Sequence, residues 1–177
     1  MDAVENKVEG LMDEAARAIP PQARSFLAGD WLGHPLHPML TDLPIGFWTS
    51  SFLLDFLGGR RSRRTSAAFV GLGVASAVPT VAAGLVEYDK LAFDDPKREI
   101  AVVHAVSNAV ATFFYLWSFL ARLRGKRGKG IFLGLLGATA ATGGGYLGGK
   151  LAFGKSDEER PTIEARPATD PTIRVAV

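Results

Sequence analysis

Four blocks of apolar and small residues, each about twenty long and bounded by charges, restrict this chain to very few folds. They run over about 38–57, 66–86, 100–120 and 130–153. Twenty helical residues at 1.5 Å each cover roughly 30 Å, the thickness of a bilayer's hydrocarbon core. A soluble four-helix bundle carries polar residues around half of every helix, and these blocks do not. The pattern predicts an all-α protein: a four-helix transmembrane bundle over 30–155, an N-terminal segment over 1–29 and a disordered C-terminal tail over 156–177. Pro79 is expected to kink the second helix.

The charges between the blocks orient it. Arg60, Arg61, Arg63 and Arg64 fill the first connection, and Arg122, Arg124, Lys126, Arg127 and Lys129 fill the third. The second holds Lys90, Lys97 and Arg98 against Glu87, Asp89, Asp94, Asp95 and Glu99. Cytoplasmic loops collect Lys and Arg, so the first and third connections belong inside and both termini outside, in a multi-pass protein of the cell's inner (plasma) membrane. With a formal net charge of +2 and its basic residues in two short clusters, the chain offers no face for nucleic acid. Having no Cys, it cannot build a thiolate metal site.

The N-terminal segment reads in two ways. Residues 3–17 can form an amphipathic helix with Val4, Val8, Leu11, Met12 and Ala15 on one face, ended by Pro20-Pro21. A loosely ordered tail is the alternative. Phe26 and Trp31 suit the membrane–water interface.

Before the first block stands Gly33-His34-Pro35-Leu36-His37-Pro38-Met39, which holds two of the chain's three histidines. A residue preceding proline is pushed away from the α region, so His34 and His37 are expected in extended or turn backbone, with Pro38 opening the helix. On the third block, His104, Asn108, Thr112, Tyr115 and Arg122 fall on one side at 100° per residue, opposite Val102, Val106, Val110, Phe113, Trp117 and Leu120. That polar stripe should face the bundle interior. Asp42, Gly46 and Thr49 share a face of the first block, Thr80 and Glu87 of the second, and Thr142, Tyr146 and Lys150 of the fourth. Alternating direction through the membrane places His34, His37, Asp42, Glu87, His104, Asn108 and Lys150 near one leaflet.

Three readings of that layer follow. His37 and His104 could be the two axial imidazoles of a b-type haem, serving electron transfer. His34, His37 and His104, with Met39, could hold copper or zinc, although an extended segment would set His34 and His37 about 9 Å apart. Or the polar groups could only lock helices together, as in a scaffold subunit, with His104 bonded to Asp42 or Glu87. Asp55 reads as a local ion pair with the neighbouring arginines. Gly144/Gly148 and Gly145/Gly149 have the small-xxx-small spacing that lets helices approach, and oligomerisation through the fourth helix is one use for it. No internal repeat is evident.

The collar running into Asp42-Leu43-Pro44-Ile45-Gly46-Phe47-Trp48, together with Pro79-Thr80 and Gly84, Val103-His104-Ala105 and Asn108, and Gly145-Tyr146-Leu147-Gly148-Gly149, resembles the bacterial membrane family called domain of unknown function 2231. The resemblance covers about 30–153. It implies a four-helix membrane protein with no assigned activity, and a Rieske-type or other redox protein as partner besides the lipid bilayer. Relatives commonly carry a His where this chain has Lys150, which speaks against haem ligation from the fourth helix.

Overall fold

The computed structural model describes residues 2–154, which form six helices and no strand. The C-terminal tail expected from residue 156 lies outside the described residues. Two short helices, α1 (Asp2–Arg17) and α2 (Pro21–Ala28), precede four long ones: α3 (Leu36–Leu57), α4 (Arg63–Asp89), α5 (Lys97–Leu123) and α6 (Arg127–Phe153). The long helices outrun the apolar blocks at most of their ends. Hydropathy marks the apolar core, whereas charged ends such as Arg63, Arg64, Lys97 and Arg98 still form good helix.

Three of the four, α4, α5 and α6, are long and apolar enough to cross a membrane. α3 is 22 residues long but is not among them, because Asp42, Asp55 and two prolines dilute its apolar residues. α3 also begins earlier than expected. Pro35 precedes its first residue, Leu36, and His37 is helical rather than extended. The restriction that Pro38 places on His37 yields here because Pro38 falls in the first turn, where its missing N–H has no partner to lose.

α3 and α4 form one hairpin, α5 and α6 another, and the hairpins meet most closely along α4 and α5. Inside, Trp48 and Tyr115 stack with ring centroids 3.9 Å apart, and Val70 and Ala77 pack around them. The two hairpins repeat one design. Trp48 lies against Gly73 of α4, Tyr115 against Gly137 of α6, and His37 and His104 against Gly84 and Gly148. His37 and His104, Trp48 and Tyr115, and Ser51 and Ser118 are all separated by the same 67 positions as Asp55 and Arg122. Residues that are equivalent between the hairpins face one another, the contact pattern of an isologous, two-fold arrangement. The sequence reading found no repeat because only His37, Phe47, Ser51, Phe52 and Leu53 of α3 recur as the same residue in α5.

The N-terminal segment is an ordered cap. Arg98 at the start of α5 is 5% exposed and bonds Asp13 Oδ1 at 2.8 Å and the Tyr88 hydroxyl at 2.6 Å. Val8 and Met12 of α1 pack on Tyr88, Ala101 and Val102. So Val102, expected on the lipid face of α5, is buried beneath the cap, while Val4, Leu11 and Ala15 stand outside. Arg24 of α2 pairs with Asp89 at 2.5 Å. Gly29 closes α2 with φ +80, and a Cβ there would collide with the His34 carbonyl oxygen.

Candidate functional site

Two polar layers lie inside the bundle, one near each end. In the first, His37 Nδ1 is 2.8 Å from the Thr80 carbonyl oxygen and His104 Nδ1 is 2.8 Å from the Gly144 carbonyl oxygen. A carbonyl only accepts, so each Nδ1 carries a proton, and in the uncharged tautomer the lone pair is on Nε2. Glycine makes this approach available, because a Cβ on Gly84 or Gly148 would stand 2.9 Å from Cε1 of the ring. The two rings meet edge to face across the bundle with centroids 6.2 Å apart. Thr41 Oγ1 donates to the His37 carbonyl at 2.9 Å, and Asn108 Nδ2, at the equivalent place in α5, donates to the His104 carbonyl at 2.9 Å. Asn108 Nδ2 also lies 3.2 Å from His104 Nε2.

The other residues expected in this layer stand elsewhere. His34 is on the surface beside a shallow cleft lined by Gly29, Asp30 and Lys90, away from the ring pair. Asp42 is exposed, and Glu87 pairs with Lys90 at 2.7 Å, so neither reaches His104. Lys150 points outward over the Tyr146 ring. Met39 is half exposed. The inner faces of α3 and α6 are lined by Pro44, Trp48 and Ser51 on α3 and by glycines on α6, so Asp42, Thr49, Thr142, Tyr146 and Lys150 lie outside. The inward stripe of α5 is as expected, with Tyr115 and Arg122 buried.

The second layer centres on Asp55, whose side chain is 3% exposed. It does not pair with the nearby arginine cluster. Arg122 of α5 grips it from both nitrogens, at 2.9 and 2.6 Å, and Arg127 Nη2 donates to its backbone oxygen at 2.6 Å. Ser66 bonds both Asp55 and Arg122 at 2.9 Å, and Ser118 bonds Arg122 Nε at 3.2 Å and the Gly130 carbonyl at 2.6 Å. A pair 67 residues apart leaves no local signal; only the repeat would have revealed it.

Among the described residues no three His, Cys, Asp or Glu side chains cluster as a metal site. The interior ring pair therefore offers two imidazole ligands and no carboxylate.

An α-helical interior built on paired glycine seats, with three helices able to cross a bilayer, defines a membrane protein by class. The chain belongs to the family described as predicted membrane protein (DUF2231), whose model matches residues 33–156. No curated protein and no solved structure matches it.

Proposed function

We propose that this protein is a four-span protein of the inner membrane in which His37 and His104 form a two-imidazole metal site on the outer side. The observation that carries the site is the pairing itself: two imidazole rings, each with Nδ1 tied to a backbone carbonyl, 6.2 Å apart at their centroids. Metal-bound histidines are oriented in this way, the distal N–H held by a carbonyl while the other nitrogen binds. Two imidazoles with no carboxylate or thiolate beside them suit copper(I), whereas zinc demands four ligands, so copper is the better fit, and binding requires the rings to turn from their edge-to-face arrangement until both Nε2 atoms face the ion. Binding requires the Asn108 amide to give up His104 Nε2.

A bare ion asks less of this arrangement than a haem, because the rings rest against Gly84 and Gly148 and are held by the Thr80 and Gly144 carbonyls.

The fourth span is α3. Its two acidic residues dilute its hydropathy, yet Asp55 is fully paired inside the bundle, and outward it presents Leu43, Ile45, Phe52, Leu53 and Phe56. Twenty-two residues reach about 33 Å. The arginine-rich connections then face the cytoplasm, and the two histidines and the cap face outward.

The test of the site is metal analysis with an absorption spectrum on the purified chain, before and after loading with copper(I). Retention of one copper per chain, lost in both His37→Ala and His104→Ala, supports the site. A Soret band would replace copper with haem, and loading without retention would leave the pair as a helix lock. Topology has its own test. A cysteine at Asp94 should react with an impermeant thiol reagent in whole cells while one at Ser62 does not, and the reverse pattern would sink the orientation.

A further inference from the structure

The two-fold design is broken at one place. Val70 of α4 is 1% exposed and fills the space beside the Trp48–Tyr115 stack. At the equivalent position of α6 stands Gly134, with nothing closer to its missing Cβ than Ser118 Oγ at 3.5 Å. A cavity of about 230 Å³ results, lined by Trp48, Phe52, Tyr115, Ile131, Leu135 and Ala138 and reaching Asp55 and Arg122 at its inner end. α3 and α6 form the more sparsely packed of the two contacts between hairpins, so the cavity opens sideways between them. Phe52 and Leu135 stand partly exposed at its edge.

From this asymmetry we infer that the cleft between α3 and α6 binds one chain of an anionic phospholipid, with the phosphate at the Arg127 end. This rests on the four-span reading, which sets the opening in the bilayer and the Asp55 layer at the cytoplasmic boundary. Charge selects the headgroup. Asp55 faces two guanidiniums, Arg122 and Arg127, so the layer carries a surplus positive charge. Arg127 Nε is buried and has no partner among the described residues. Arg124, Lys126 and Lys129 adjoin it in sequence. A basic pocket between helices at the cytoplasmic face is where an anionic headgroup is favoured, and the apolar wall from Phe52 to Ala138 suits its acyl chain.

Native mass spectrometry of the full chain in mild detergent tests this, with phosphatidylglycerol, phosphatidylcholine and inorganic phosphate as probes. The wild type should retain phosphatidylglycerol over phosphatidylcholine and show no binding of phosphate alone. Gly134→Val, which supplies the side chain found at Val70, should abolish retention while unfolding at the wild-type temperature or above; Gly134→Ala is the milder filling if valine disturbs folding. Arg127→Gln should weaken phosphatidylglycerol about five-fold and leave phosphatidylcholine unchanged. Retention that is equal for both lipids, survives filling of the cleft, or belongs to a neutral quinone would overturn the inference. Because neither histidine is touched, failure here is distinct from failure of the metal site.

Discussion

The two hairpins use one plan with different materials. In α3–α4 the interface is filled by side chains: Val70, Val74 and Thr80, with Ser66 between Ser51 and Asp55. In α5–α6 the corresponding places on α6 are largely backbone, with Gly130, Gly134, Ala138 and Gly144. Side-chain packing fixes a helix pair by shape, while glycine packing brings the backbones closer and hands the carbonyls to partner side chains. Ser118 bonds the Gly130 carbonyl where Ser51 bonds the Ser66 hydroxyl. The histidine layer obeys the same geometry in both hairpins; only the second hairpin leaves a gap.

Substitutions at equivalent places should break or sharpen this comparison. The largest effect is expected at the one position pair where the hairpins carry opposite charges. Arg122→Ala leaves Asp55 buried with only Arg127 beside it, and thermal unfolding in detergent should report a loss of about 3–5 kcal/mol. Exchanging the charges, Asp55→Arg with Arg122→Asp, should recover a large part of that loss if the two sites are truly equivalent. No recovery would confine the two-fold relation to the backbone.

Next come the aromatic seats. A Cβ on Gly137 would stand 2.9 Å from the Tyr115 ring, and one on Gly73 would collide with the Trp48 indole. Gly73→Val and Gly137→Val should each destabilise by about 1–3 kcal/mol, and similar unfolding shifts for both would support a shared packing rule. The smallest effect belongs to the histidines. His37→Gln and His104→Gln should each lower stability by about 0.6 kcal/mol, the average for one polar contact between membrane helices. A much larger loss at only one of them would show that the rings are not equivalent.

Much of this plan was legible in the residues. Block length and charge located the four long helices, and a 3.6-residue period found the inward stripe of α5, whose polar side chains carry the signal. α6 faces inward with glycine, which has no side chain to register on a hydropathy pattern, while its conspicuous Tyr146 and Lys150 are exposed. α3 misled similarly, because the partners of Trp48 and Ser51 are on other helices while Asp42 is conspicuous and exposed. Alternating helix direction sets His37 and His104 at one end of the bundle, and there the structure brings their rings to 6.2 Å. The same topology sets His34 in their layer, yet one turn of backbone and the start of a helix send it to the surface. The Asp55–Arg122 bond was hidden because it depends on which helices become neighbours, a property of the packed molecule.

The cap over the histidine end of the bundle also sets an order of events. α1 leaves the ribosome before either hairpin, but its anchors come much later: Asp13 waits for Arg98, 85 positions downstream, and Val8 and Met12 wait for Tyr88, Ala101 and Val102. The first hairpin offers Tyr88, and Asp89 for Arg24, but the seat is complete only when α5 adds Arg98, Ala101 and Val102. Full docking therefore reports that α5 has arrived, and protection of the N-terminal segment from protease should rise further once α5 has been synthesised. The cap acts as a latch that the start of the second hairpin closes.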